Sequence, residues 1–379
     1  MAFLTEGLAD LDDPSLLSRW SVEVAIAVRE GLDAQSDPAV HRDRIVAVIP
    51  HLDPGDTGAS RLAMRCARSL TSSNQPHDAL PISERFAEHS DGVDSEGFPI
   101  EVALSTMWLH LGDRDRSDEY LDMAASDRRR GYWFYDCQVL QRQAMRDLLD
   151  GRWDDAVDHI DGVARMGGHD QNLLLSCAQQ QTWLHREIGE LDRNLEDADA
   201  YLAAFPDFAA IRCIQVGEWA ESGRADAVRT ALDELSVDDF RAAGRGWLTL
   251  LSVGNLAWAA IAVDAREHAA PLRGILAPMA GQLGVITTGT NVMCAVDRLL
   301  AGLAALVGRH DEADALFAAA LTQEQAVRSR PLEARTHHWW GRALLRRGNE
   351  AAARTHIDAA HEIASSLGMT ALVAQLEDC

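Results

Sequence analysis

The sequence predicts an all-α fold, a right-handed α-solenoid of about eight stacked helical hairpins. Three observations predict it. Apolar residues recur at helical spacing along almost the whole chain. Strand signals are nearly absent, with short β-branched runs and no Asn-Gly or Asp-Gly hairpin turn between alternating segments. A tight turn followed five residues later by a small residue returns again and again, on average about every 39 residues.

In chain order, Met1 to Asp13 is acidic and has no basic n-region, so no signal peptide is expected. Helices are expected near Ser15 to Gly31, Pro38 to Ile49 and Gly58 to Leu70. The first turn, Asn74, leads to Ala79, and a polar loop is expected from Ser90 to Gly97. Gly112 leads to Ser117, Gly151-Arg-Trp-Asp-Asp to Ala156, and Gly189 to Asn194. Gly223 leads to Ala227, one residue early. Ser236 to Gly246 reads as an irregular insertion. Leu248 to Val263 is the longest apolar stretch, but Thr249, Ser252, Gly254 and Asn255 interrupt it. It falls short of the roughly 20 residues of a membrane span, so a buried helix is expected. Asp264 then leads to Ala269, Gly308-Arg-His-Asp-Glu to Ala313, and Gly348-Asn-Glu-Ala-Ala to Ala353.

The logic of the unit is steric. Glycine adopts positive φ cheaply at a helix C-terminus. A small residue one turn into the second helix lets that helix approach the first. One hairpin cannot bury its own apolar face, so neighbours must stack. The pattern is tetratricopeptide-like, with the usual period of about 34 stretched by longer loops. The organisation expected is a single α-solenoid over 1–379, with 1–95 a divergent N-terminal cap and 96–379 regular hairpins.

Composition narrows the chemistry. The 379 residues carry 59 acidic and 35 basic groups, a net charge of −24, and every basic group is an arginine. Without lysine there is no P-loop lysine, no Schiff base to a pyridoxal cofactor and no kinase-type lysine. The acid excess argues against nucleic acid as a direct partner. The six scattered cysteines form no CxxC pair and read as reduced, buried groups of a cytoplasmic protein. No GxSxG, HExxH or GxGxxG motif occurs, so no cofactor and no metal is expected. Asp155 and His159, one turn apart, read as part of a solvated acidic face. Trp20, Trp108, Trp133, Trp153, Trp219 and Trp247 read as core. Arg128-Arg129-Arg130 reads as a solvated helix start, with an anionic ligand or acidic partner as its functional alternative.

A repeat register selects candidate binding residues. With each turn residue at position 15, positions 4, 7, 8 and 11 pack inward, and 2, 5, 9, 12 and 13 face the concave side. The last hairpin then has Trp340, Gly341 and Leu344 in its core and Arg335, His338 and Arg342 in the groove. Earlier hairpins contribute Arg298, Trp258, Gln179 and Trp183, and Gln138 with Gln141. Arginines, amides, histidine and tryptophans suit a binding surface. The three arginines near the C-terminal end suit a carboxylate or phosphate clamp.

The stretches RADAVRTALDEL, GRHDEADALFAAAL, ARTHHWWGRALLRRG, HIDAAHEIASSLGMTAL and LLDGRWDDAVDHIDGVARMGG resemble the C-terminal helical-repeat arm of large bacterial signal-transduction ATPases. These include LuxR-type regulators and adenylate-cyclase-linked proteins. The resemblance spans roughly 129–377 and implies an arm that senses an inducer or a partner protein. The chain lacks the GxxxxGK[ST] loop and a basic recognition helix, so the ATPase and DNA-binding activities do not carry over. The expectation is a binding or regulatory module that takes a partner protein, peptide or small-molecule inducer in its concave groove, with no membrane role. A homodimer is compatible with it. The alternative is an enzyme, such as a cyclase or isomerase, using the solenoid interior for acid–base chemistry.

Overall fold

The computed structural model describes residues 17–32, 38–127, 131–204, 209–241, 243, 246–286 and 288–377. The acidic Met1 to Asp13, the Arg128-Arg129-Arg130 run and Cys379 lie outside them. The chain divides into two compact units, one of 1–139 with 245–249 and one of 140–244 with 250–379.

The first unit holds α1 (Leu17–Leu32), α2 (Pro38–Val48), α3 (Thr57–Ser72), α4 (Pro76–Phe86), α5 (Ile100–His110), α6 (Arg114–Ser126) and the start of α7 (Trp133–Asp150). Its core runs from Val24 and Ile45 through Leu62, Leu70 and Phe86 to Met107. A second cluster gathers Phe98, Val102, Leu121, Tyr135 and Val139. The Ser90 to Gly97 loop is anchored by Asp94, which accepts from the backbone N–H of Glu96 at 2.8 Å and of Phe98 at 3.0 Å and pairs with Arg68 at 2.7 Å.

The second unit continues α7 and adds α8 (Trp153–Gly167), α9 (Gln171–Ile188), α10 (Leu191–Ala204), α11 (Ala209–Glu221), α12 (Ala225–Leu235), α13 (Thr249–Ala262) and α14 (Ala269–Leu276). An antiparallel pair follows, β1 (Leu283–Ile286) and β2 (Asn291–Ala295). The unit ends with α15 (Val296–Leu306), α16 (His310–Ala326), α17 (Arg330–Arg346), α18 (Glu350–Leu367) and α19 (Thr370–Glu377). The expected buried helix over Leu248 to Val263 is α13, and no helix among the described residues is long and apolar enough to cross a membrane.

The turn signature is the organising feature of both units. Asn74, Gly112, Gly151, Gly189, Gly223, Asp264, Gly308 and Gly348 all have positive φ. At each, the N–H of the next residue bonds to the carbonyl five residues back, as in Asp113 to Trp108 and Arg309 to Ala304, which closes the first helix with a Schellman cap. The residue five beyond each turn is buried: Ala79, Ser117, Ala156, Asn194, Val228, Ala269, Ala313 and Ala353. The spacing thus holds in the Gly223 hairpin as well. Val228 takes the contact, and Ala227, the residue favoured by the small-side-chain rule, lies partly exposed.

Three expectations are corrected. The β-hairpin stands where only helix was expected, and every residue of both strands is buried. Its β-branched stretch, Val285 to Val292, flanks Gly289 at φ +90° in place of an Asn-Gly turn. The tryptophans at 20, 108, 133, 153, 219 and 247 are half-buried at the edge of the core, with Trp20, Trp108 and Trp153 packed against it. An indole N–H needs a partner when buried. Trp153 donates its own to the carbonyl of Leu367 at 2.7 Å, while Trp108 and Trp219 carry the guanidiniums of Arg116 and Arg212 on their outer faces. His159 is not simply part of the solvated Asp155 face; partly exposed, it also sets its Nδ1 2.6 Å from Asp147 of α7.

Two substitutions test the hairpin rule. At Gly308, φ is +80° and nothing stands within 4 Å of an added Cβ, so Gly308→Ala isolates the backbone term. A loss of about 1–2 kcal/mol is expected. Ala353→Leu overpacks the approach of α18 to α17, where a methyl on Gly341 would already sit 2.8 Å from Ile357, and about 1–3 kcal/mol is expected. Urea unfolding midpoints measure both; an unchanged midpoint for either contradicts the rule.

Candidate functional site

The second unit closes on itself. Its last helices return to its first ones, although they are far apart in sequence. Ser329 Oγ donates to the Leu149 carbonyl of α7 at 2.7 Å, and Thr370 Oγ1 to the Ile188 carbonyl of α9 at 2.5 Å. Gln375 of α19 donates to Glu221 of α11 at 2.8 Å. The central contact is Arg335 of α17. Its Nε donates to Glu187 of α9 at 2.7 Å and its Nη1 to Glu221 at 3.5 Å, and the three side chains are 2%, 5% and 3% exposed. Burial pushes the guanidinium pKa down, and the carboxylates of Glu187 and Glu221 outweigh that and hold it above its ordinary value.

An arginine–tryptophan stack surrounds this pair. The Arg186 guanidinium lies 4.6 Å from the Trp183 ring centre and 4.7 Å from that of Trp258, and pairs with buried Glu218. Arg335 lies 5.3 Å from the same Trp258 ring, and Arg298 lies 5.5 Å from Trp339. Trp258 and Trp339 meet edge to face at 5.1 Å. A ring face attracts a cation and tolerates its desolvation, so stacking is how a buried arginine keeps company without a second carboxylate.

Two further buried groups are held out of their ordinary charge states. Burial pushes Glu324 up to about 7, against the pull of Arg298 at 3.9 Å and the hydrogen bond from Thr336 at 2.6 Å. Burial pushes His338 down to about 3, and Arg342, Arg335 and Arg298 add to the effect. His338 is therefore a neutral imidazole, and neither ring nitrogen has a hydrogen-bond partner among the described residues.

The nine candidate residues divide into groups. Trp183, Trp258, Arg298, Arg335 and His338 belong to this buried centre. Gln179 instead meets the β-hairpin, and Gln141 is joined to it through Gln180. Gln179 accepts from Thr290 at 3.0 Å, and Gln180 Nε2 bridges the carbonyls of Gln141 and Thr290 at 2.8 and 2.7 Å. Gln138 is a buried residue of the first unit. The three-arginine clamp does not form. Arg298 is taken up by the carbonyls of Leu332 and Met293 at 3.2 and 3.1 Å, and Arg335 by its two glutamates. Arg342 alone of the three has no hydrogen bond or ion pair to a described residue.

Arg342 lines a small recess, open to solvent and enclosing about 30 Å³, with Trp258, Ile261, Phe317, Trp339 and Arg346. Gly302 forms part of the wall, where a methyl would sit 2.5 Å from Ile261 and 3.4 Å from Trp339. The lining from α13, α15 and α17 belongs to the C-terminal halves of those helices, where carbonyl ends favour a cation by about 0.3–1 kcal/mol. Arg346 answers that field by donating to the Ile261 carbonyl at 3.2 Å and pairing with Asp264 at 3.3 Å. An acceptor on Arg342 gains about 1.5–3 kcal/mol, which outweighs the helix ends. Ile261, Ala305 and Arg346 occupy register positions 12 and 13, and Gly302 position 9. The same positions yield Arg186, Glu187 and Glu221, so the register marked these residues although their composition did not draw attention to them.

Replacing Arg335 with methionine leaves Glu187 and Glu221 buried without their cation and should cost about 3–5 kcal/mol; adding Glu187→Gln should recover part of it. A pH dependence also follows. Folded Glu324 keeps its proton up to about pH 7 while an unfolded glutamate loses it near 4.5, so stability declines as pH rises through that window. His338 has the opposite sign. Its folded value of about 3 lies below the unfolded 6.5, so stability declines as pH falls below 6.5. Glu324→Gln should flatten only the first slope in urea titrations across these pH values.

No family model matches the chain, and no curated protein matches it. Among solved structures, a human IFIT1 dimer with m7Gppp-AAAA is 13% identical and is covered over 73% of its chain by 86% of this one, with a TM-score of 0.40. The P58(IPK) TPR domain is 14% identical, with 90% of this chain and 94% of that one covered and a TM-score of 0.22. The resemblance to the ATPase arm finds no support in these comparisons.

Proposed function

We propose that this is a helical-repeat binding protein whose ligand is a small molecule held in the Trp258–Trp339–Arg342 cavity of the second unit. The observation that carries this reading is that Arg335, Trp183 and Trp258, which the register turns to the concave side, are covered by the unit's own helices. A peptide laid along that face would have to displace the Arg335 contacts with Glu187 and Glu221. The recess beside Arg342 opens to solvent and needs no such displacement.

An inducer-sensing role, as the resemblance implies, is the regulatory form of this proposal. Binding energy gained in the cavity would strengthen the packing of α13, α15 and α17 and so be felt at the contacts α17 makes elsewhere in the unit. The acid–base alternative has less to stand on. Its best-placed histidine, His338, lies among arginines and has no carboxylate partner among the described residues.

The test uses a dialysed small-molecule extract and thermal unfolding. The extract should raise the melting temperature of the full chain. It should not raise that of Ala343→Phe, which places a ring in the cavity, once circular dichroism has established that the variant is folded. Equal shifts for both proteins, or none for either, would falsify the proposal.

A further inference from the structure

We infer that Asp233, Glu267 and His268 form a binding site for a divalent transition-metal ion of the zinc type, set between two consecutive hairpins of the second unit. Asp233 stands in the last turn of α12. Glu267 and His268 stand in the short 3₁₀ turn Arg266–His268 that leads into α14. One ligand atom from each of the three lies within 4.8 Å of the others. His268 Nε2 is 3.1 Å from a carboxylate oxygen of Asp233 and 3.9 Å from one of Glu267.

The imidazole is the fixed member of the set. Its side chain is 8% exposed, against 74% for Asp233 and 67% for Glu267. Phe240, wholly buried, meets it edge to face, with ring centres 5.5 Å apart at 77°. A buried, packed ring therefore holds one nitrogen toward two exposed carboxylates.

That convergence asks for more than a proton. A ring nitrogen carries one hydrogen, and here it goes to Asp233. Glu267 brings a second negative charge to the same nitrogen at a distance too long for a hydrogen bond. The arginine one turn before Asp233 is engaged elsewhere: Arg229 donates to the Val263 carbonyl at 2.9 Å and pairs with Asp226 at 3.7 Å. A divalent ion in place of the proton takes the Nε2 lone pair and an oxygen from each carboxylate at once.

The donor set selects the ion. One imidazole nitrogen with two carboxylate oxygens suits zinc, whereas magnesium and calcium take oxygen ligands. With bonds of about 2.0–2.2 Å, ligand atoms around zinc stand roughly 3 Å apart. The Asp233–His268 pair already has that separation, and the exposed Glu267 has the freedom to close the remainder. Asp233 and His268 are 35 residues apart, so no local metal motif announces them.

Calorimetric titration of the chelator-treated full chain with zinc chloride tests this. One equivalent should bind, and both His268→Gln and Glu267→Gln should weaken it at least about tenfold. Glu267→Gln removes an exposed carboxylate that accepts no hydrogen bond from the ring, so its urea midpoint in chelator should match that of the parent. His356→Gln, which removes a half-buried histidine paired with His337, should leave the zinc affinity unchanged. Cobalt(II) should occupy the same equivalent, with visible absorption bands that His268→Gln removes. Absence of zinc binding, an affinity indifferent to His268→Gln and Glu267→Gln, or displacement of zinc by equimolar magnesium overturns the site.

Discussion

The distance between the two helices of a hairpin is the constraint on which the rest depends. It is set by a backbone turn in the left-handed region and by the buried residue five positions on. Neither works alone. The turn closes the first helix and aims the chain back, and the residue at +5 decides how near the second helix comes. Where both are small, as at Gly341 against Ala353, backbones approach so closely that even a methyl must displace a neighbour. Stacking of equivalent hairpins then follows, because each buries the face its neighbour leaves bare.

In the second unit this close packing has an electrostatic consequence. Closure carries charged side chains out of water, where an unpaired ion is untenable. The unit meets this by compensation at every member. Arg335 has two glutamates, Arg186 has Glu218 and two indole faces, and Arg298 has backbone carbonyls. Glu324, short of a close cation, is compensated instead by keeping its proton, and His338 by remaining neutral. These are different answers to one desolvation problem.

How much of this was legible in the sequence follows from the range of each interaction. The turns were legible because glycine, asparagine and aspartate at positive φ, followed by a small residue, are local signals. All eight turn positions were there to read, and at seven of them so was the residue buried five positions on. The Gly223 hairpin shows the limit of reading by residue type, since the geometry kept its spacing and accepted valine. The β-hairpin was masked because its strands are short and its turn lacks Asn-Gly. The register named Trp183, Trp258, Arg298, Arg335 and His338 together, and the structure holds them in one buried centre. It gave no sign that the set is buried, because closure depends on rotations summed over many hairpins and on contacts such as Arg335 to Glu187, 148 residues apart.

The absence of lysine gains its meaning from that buried centre. An ammonium group carried into such surroundings sheds its proton readily, whereas a guanidinium keeps its charge and delocalises it over a plane. The stack of Trp183, Arg186 and Trp258 needs that plane: a tetrahedral ammonium cannot lie flat between two rings while donating sideways to Glu218.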